Sequence, residues 1–333
     1  MTLVETHSLT KYFPIGKGHK VHAVDGVTVT IEEREILGLV GKSGSGKSTF
    51  GKAILGLHPK TSGEVIYRGE TLPARYTPQD FQKYAKRMQM IFQDPYSSLN
   101  PRMTVGEIIG EGLTLHTALK TAQVRDKVAD WLRRVGLSPD HMSRYPHEFS
   151  GGQRQRIGVA RALILEPEFV VCDEPISALD VSVQAQVINL LDELKKSMGL
   201  TLLFIAHDLS MVRYVSDRMA VMYLGTLVEL GPANRVYFEP RHPYTQLLVA
   251  SNPAPDPNSE RERVSTTIKG EIPSPVDVPP GCRFANRCPK VMAVCRHETP
   301  QLLPLKDETT RQVACHLYTD VKEPSRPEVA PTA

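Results

Sequence analysis

The sequence predicts an α/β fold, in which a parallel sheet gathers its ligand site along one carboxyl edge and carries an antiparallel N-terminal subdomain, a helical insert and a small C-terminal extension. Three observations support this prediction. Gly41-Lys42-Ser43-Gly44-Ser45-Gly46-Lys47-Ser48-Thr49 fits the phosphate-cradling pattern G-x-x-x-x-G-K-[ST]. Short apolar runs recur at Ile36 to Val40, Phe169 to Cys172 and Thr201 to Ala206, as buried parallel strands require. Polar or charged residues stand directly after these runs, where open α/β sheets place their ligands.

The bulk numbers narrow the function. A chain of 333 residues has room for one large core and a smaller appendage. Its formal net charge of +3 gives no electrostatic footprint of a nucleic-acid binder. No apolar run approaches the roughly 20 residues that cross a bilayer, and Met1 to Glu5 begin no secretory signal, so a cytosolic chain, or one peripheral on a membrane's cytosolic face, is expected. Of the 5 cysteines, Cys172 stands alone and reads as a small buried hydrophobe, while Cys282, Cys288, Cys295 and Cys315 crowd the end.

Taken in order, Tyr12 and Phe13 precede a Gly/Lys/His loop, and Val24 to Ile31 alternates as a half-buried strand, which together read as an edge hairpin. Either aromatic is a candidate to stack on a base. The run Ile36 to Val40 leads into the phosphate loop, and Thr49 to Leu57 reads as the helix behind it. A helix N-terminus carries roughly half a positive charge, so this unit attracts anions before Lys47 adds its ammonium to the β- and γ-phosphates. Ser48 is then placed to put its hydroxyl on Mg²⁺. Glu64 to Tyr67 is a strand between turns, and Met88 to Phe92 is an apolar run that delivers Gln93 to the sheet edge. Helical spacing returns at Val124, Val128, Trp131, Leu132 and Val135, and Gly136 closes that helix.

Phe149-Ser150-Gly151-Gly152-Gln153 introduces a helix over Arg154 to Leu165, with Ser150 as N-cap and glycines that let a ligand approach, a second anion site. The strand ending at Cys172 delivers Asp173 and Glu174, two carboxylates where desolvation is expensive. Ser177 to Asp180 leads into a helix with Val183, Val187, Leu190, Leu191 and Leu194 on one face, and the strand from Thr201 ends in His207. Gln93, Asp173, Glu174, His207 and two glycine-rich helix starts form one constellation, suited to metal-assisted attack of water on a γ-phosphate. Asp173 would hold Mg²⁺ through water, Glu174 would polarise the attacking water, and His207 would contact the γ-phosphate.

With Ser150-Gly151-Gly152-Gln153 between a Walker A loop and a Walker B strand, residues 3 to about 239 closely resemble the ATP-binding subunit of an ABC transporter, a P-loop NTPase fold. The resemblance implies two subunits facing head to tail, with ATP between one subunit's Gly41, Ser43 to Thr49 segment and the other's Ser150 to Gln153. It assigns Gln93 to the Q-loop beside Mg²⁺, Asp180 to the D-loop and His207 to the switch histidine, and favours Phe13 for the adenine. The stretch from about 94 to 149 corresponds to the helical subdomain that grips a membrane-spanning partner. Ile176 departs from the Thr of many relatives.

Arg241-His242-Pro243-Tyr244-Thr245, Pro95 to Pro101 and the terminal cysteines are similar to the ATPases of bacterial oligopeptide, dipeptide and nickel importers, and the segment ending at Arg102 resembles the second of two paralogues. That implies a heterodimer, two transmembrane permease subunits and an extracytoplasmic solute-binding protein, at the cytoplasmic face of the membrane. The resulting division is an ATPase domain over 1–239, an extension over 240–322 and a solvated tail over 323–333.

The extension is rich in Pro and polar residues and is expected to need a metal staple. Its C-x₅-C-x₆-C-x₁₉-C spacing suits a four-thiolate iron-sulfur cluster better than zinc, and the resemblance supports [4Fe-4S]. Zinc, with His297 or His316 substituting for a cysteine, and unligated thiols remain alternatives. A non-transport ABC-type ATPase on ribosomes or DNA is disfavoured, because the chain has one ATPase module and no strongly basic face. A module with a dead nucleotide site is disfavoured by Lys47, Gln93, Asp173, Glu174 and His207. Which solute is carried is not encoded here, since substrate choice belongs to the partners.

Overall fold

The computed structural model describes residues 1–177, 179–251, 274–276 and 278–318. The tail expected at 323–333 lies outside the described residues.

Alternating apolar residues build the N-terminal hairpin of β1 (Thr2–Gly16) and β2 (His19–Glu32), longer than the alternation from Val24 alone indicates. β3 (Ile36–Val40) is buried at every position and runs into the phosphate loop and α1 (Lys47–Ile54). β4 (Ser62–Tyr67) and β5 (Glu70–Thr71) return to the hairpin, giving an antiparallel sheet of order β2-β1-β4-β5. Val4, Leu9, Val29 and Val65 of this sheet pack with Phe50 and Ile54 of α1. The half-buried pattern is therefore a sheet with one face on the core.

After α2 (Pro78–Tyr84) and β6 (Met88–Ile91) comes the helical insert: α3 (Pro95–Ser98), α4 (Val105–His116) and α5 (Thr121–Arg134). A capping box starts α4, where Thr104 Oγ1 accepts from the Glu107 amide at 3.3 Å and Glu107 Oε2 accepts from the Thr104 amide at 2.7 Å. Gly136, at φ +71°, lets the chain turn off α5, and Leu137 N–H donates back to Leu132 at 2.8 Å. Ile109 and Leu113 of α4, Trp131 and Leu132 of α5 and Ile157 of α6 (Gly151–Leu163) form the insert's share of the main core.

β7 (Phe169–Asp173), α7 (Val181–Met198), β8 (Thr201–Ala206), α8 (Leu209–Val215), β9 (Arg218–Tyr223) and β10 (Thr226–Pro232) complete the core. β6, β7, β8, β3 and β9 lie side by side and parallel. Their carboxyl ends consequently share one edge, and Gln93, Asp173, Glu174, His207 and the phosphate loop are delivered there together. Among the described residues no helix is long and apolar enough to cross a membrane.

The extension differs from expectation. After α9 (Ala233–Phe238) and α10 (Pro243–Ala250), β11 (Leu303–Pro304) and β12 (Gln312–Val313) add to the main sheet through β10, with Glu229 opposite Val313. Phe284 is 1 % exposed and packs edge-on against Tyr223 at 5.3 Å between ring centroids. Arg311 and Glu229 form a wholly buried ion pair at 2.8 Å. Strand pairing, aromatic packing and this ion pair tie the segment to the core, and among the described residues no group of three or more His, Cys, Asp or Glu stands in a metal-holding arrangement. The segment packs on the main core through Phe284 and holds a small cluster of its own at Leu305, Val313 and Cys315.

Candidate active site

The phosphate loop lines a cavity of about 500 Å³, with Phe13, Val21, Ala23, Gln93, Glu174, His207 and Pro275 as its other walls and residues 43–49 along its floor. Gly46 is the loop position with least latitude: φ is +102°, and a Cβ there would meet the carbonyl of Ala23 at 1.9 Å. As the residue before α1 it adds no side-chain cap, which leaves the first helical amides for an anion. Lys47 is 5 % exposed, and its ammonium donates to the carbonyls of Gly41 at 2.8 Å and Lys42 at 3.3 Å. Burial lowers its pKa, and the Glu174 and Asp173 carboxylates oppose that.

Ser48 donates its hydroxyl to Asp173 Oδ1 at 2.6 Å. Burial pushes the Asp173 carboxyl up, against the Ser48 hydrogen bond and the charge of Lys52. This all-oxygen pair at the loop's end suits a hard cation such as Mg²⁺. Glu174 follows in the left-handed region at φ +44°, a conformation that non-glycine residues seldom adopt. Its amide donates to Ile205 at 2.9 Å, so β8 holds the turn. Glu174 Oε2 receives Gln93 Nε2 at 3.1 Å and faces His207 Nδ1 at 3.5 Å. Three strand tips therefore meet at one carboxylate oxygen, and the Gln93 amide nitrogen is turned to Glu174.

The aromatics separate cleanly. Tyr12 donates to Asp25 at 2.6 Å, with its pKa raised to about 12 chiefly by burial. Phe13 lines the cavity, with His58 edge-on at 5.4 Å between ring centroids and Lys11 Nζ 4.7 Å from its ring centre.

Ser150 to Gln153 do not line this cavity. Ser150 caps α6 reciprocally with Gln153, whose Oε1 accepts from Ser150 N–H at 3.0 Å, and a Cβ on Gly152 would meet Val183 at 2.4 Å. The single constellation read from the residues is corrected here: Gln93, Glu174, His207 and the phosphate loop converge, while the second helix start stands apart. Asp180 precedes α7, exposed and with no cap bond from its side chain.

Cys172 is fully buried with its thiol pushed up to about 12, which is how a small hydrophobe behaves. The four late cysteines form no disulfide. Burial pushes Cys282 and Cys315 up to about 11, and the Cys282 amide donates to the Cys295 carbonyl at 2.8 Å. His316 Nε2 lies 2.9 Å from the carbonyl of Glu298.

Sequence reasoning missed Val21, Ala23 and Pro275 as cavity walls, and missed that the hydroxyl of Tyr244 accepts from the Lys42 amide of the phosphate loop at 3.1 Å. Small apolar residues carry no chemical label, and Tyr244 reads only as part of a motif.

Comparison with known proteins agrees with this geometry. A family model described as ABC transporter matches residues 24–177, and one described as Oligopeptide/dipeptide transporter, C-terminal region, matches residues 228–295. The chain is 55 % identical over 323 residues to a putative oligopeptide transport ATP-binding protein, YkfD, of Bacillus subtilis, covering 97 % of each. It is 51 % identical to the oligopeptide transport ATP-binding protein OppF of Salmonella typhimurium, over 90 % of this chain and 92 % of that one. Among solved structures, a dimeric ATP-binding cassette in a post-hydrolysis state with ADP and Pi matches with a TM-score of 0.64 and 26 % identity, over 69 % of this chain and 99 % of that one.

Proposed function

This chain belongs to the ATP-binding subunits of the oligopeptide/dipeptide ABC importer family, and on that premise we propose that it hydrolyses ATP to drive uptake of di- or oligopeptides across the cytoplasmic membrane. It works from the cytoplasmic face with a paralogous ATPase, two transmembrane permease subunits and an extracytoplasmic solute-binding protein. The names of its relatives support the peptide cargo. The position of Ser150 to Gln153 outside the cavity supports a site completed by a second ATPase subunit.

The observation that carries the proposal is the Glu174 carboxylate, met by Gln93 and His207 beside the phosphate loop. Loop amides and Lys47 bind the β- and γ-phosphates and hold them still. Glu174 orients water toward the γ-phosphorus and accepts its proton, His207 contacts the γ-phosphate, and Gln93 reports the site's state to the helical insert. Ser48 and Asp173 would hold Mg²⁺, which supplies charge neutralisation at the phosphates. Phe13 stacks on adenine.

Glu174→Gln tests this reading. In the assembled complex it is expected to keep ATP binding and lower turnover by about 10²- to 10⁴-fold, because the amide cannot take the water's proton. Wild-type turnover at this subunit's site would remove Glu174 from the chemistry.

The four late cysteines retain a finer proposal, a [4Fe-4S] centre with zinc as the alternative. Their spacing and the backbone contact between Cys282 and Cys295 support it. Anaerobically purified protein is expected to hold iron and acid-labile sulfide at about four each per chain. Stoichiometric zinc without colour would replace the cluster, and metal-free protein would end both readings.

A further inference from the structure

The nucleotide cavity has one wall from outside the ATPase core. Pro275 lies beyond α10 in the extension, yet it lines the cavity with Phe13 and Val21. Its carbonyl accepts the His22 amide at 2.9 Å, so its backbone is fastened to β2 independently of its side chain. Phe13 and Val21 are paired across the hairpin, and His22 is the next residue on β2. Phe13, Val21 and Pro275 therefore come from three neighbouring chain segments in lateral order. Further along, Arg283 donates to the Asp25 carboxylate and to the carbonyl of Leu224, fixing the extension a second time, to β2 and to the turn between β9 and β10. Ser274 and Pro275 also wall a second cavity of about 260 Å³, which Lys42 to Ser45, Tyr223 and Tyr244 share. Pro275 is thus packed between the hairpin and the phosphate loop's outer side.

The phosphate loop already supplies polar donors for the phosphates. Pro275 has no N–H to offer and presents only an apolar ring, which suits the C–H edge of a ribose or the face of a base. We propose that Pro275 contacts the nucleoside of ATP, extending the apolar shelf of Phe13 and Val21, so that the C-terminal extension is part of the nucleotide-binding site. This rests on the reading of the cavity as an ATP site and adds a specificity-determining contact to it.

The test compares ATP with inorganic tripolyphosphate, which has the phosphates and lacks the nucleoside. Both are titrated with Mg²⁺ against the full-length chain. Pro275→Ala keeps the carbonyl that accepts His22 N–H and removes most of the ring. It is expected to weaken ATP by about three- to tenfold, the loss of one or two apolar carbons' worth of contact, and to leave tripolyphosphate unchanged. Pro275→Val, which restores apolar bulk, is expected to recover most of the ATP affinity. Unchanged ATP affinity in Pro275→Ala overturns the proposal. Equal weakening of both ligands also overturns it, since Pro275 would then act through the phosphate loop. Wild-type protein that binds neither ligand would reject the ATP site itself, and this inference with it.

Discussion

Lys47 shows how a single buried charge divides its work. Its ammonium is desolvated and lies on two loop carbonyls, so it is already positioned where phosphate oxygens would be gripped. Lys47→Ala removes a full charge from a site whose other loop donors are neutral amides, and ATP affinity is expected to fall at least about tenfold in equilibrium titration. Unchanged affinity would make the loop a secondary anchor. His242 is a purely structural counterpart: 1 % exposed, with Nδ1 accepting the Tyr244 amide at 3.0 Å and burial pushing its pKa down to about 3. In the unfolded chain it takes a proton near its ordinary 6.5. Above that pH it is neutral in both states and stability does not vary on its account. As pH falls from 6.5 toward 3 only the unfolded chain binds the proton, so stability is lost by at most about 1.4 kcal/mol per pH unit. His242→Asn keeps an acceptor for Tyr244 and should flatten the pH dependence of chemical denaturation between pH 6.5 and 5; identical slopes would show that His242 already charges in the fold. Asp173, Glu174 and His207 were legible in the sequence because polar groups at the ends of wholly apolar runs have no packing reason to be there. Val21, Ala23 and Pro275 were not, because their role comes only from what folds beside them.

At the scale of elements, the parallel strands were legible almost to the residue, since strands buried on both faces leave continuous apolar runs that turns interrupt. The expected strand over Thr201 to Ala206 is β8. The strands of the extension were not legible, for the converse reason. Its strands β11 and β12 have two residues each, too short for any periodicity, and they exist because β10 offers an edge. The buried Arg311–Glu229 pair locks that edge, with Arg311 also donating to the Glu239 carbonyl at 2.6 Å, while Glu229 accepts the amides of Arg241 and His242 at 3.0 and 2.9 Å. Removing one partner leaves a buried charge uncompensated, a loss of about 3–5 kcal/mol where it cannot rehydrate. Arg311→Met is expected to open the chain beyond Pro240 to limited proteolysis before the core. Its tryptic pattern at native temperature, compared with wild type, measures this. Resistance equal to wild type would transfer the staple to the four cysteines and the metal proposed for them.

On the proposed reading, the molecule's two glycine-rich helix starts belong to two different ATP sites. The phosphate loop, Glu174 and His207 line a single cavity, and Ser150 to Gln153 lie outside it, although the parallel sheet and its helices hold both on one body. The residue chemistry alone groups the two halves, whereas the motif resemblance implies that they belong to different sites, and Ser150 to Gln153 lie outside the cavity. If each is a half-site, the chain completes neither by itself. On the proposed reading, a second ATPase subunit turned head to tail would complete both. The isolated, monomeric chain is therefore expected to bind ATP but hydrolyse it at least about 10²-fold more slowly than the complex with its partner ATPase and permeases, because the charge-stabilising helix end is missing from the γ-phosphate side. Substituting Ser150 by Arg in this chain should then impair hydrolysis at the partner's phosphate loop while leaving ATP binding to the isolated chain unchanged. Single-turnover measurements with one subunit inactivated at a time distinguish the two sites. If a preparation shown to be monomeric turns over at the rate of the full complex, the two half-sites must meet within one chain and the head-to-tail arrangement is wrong.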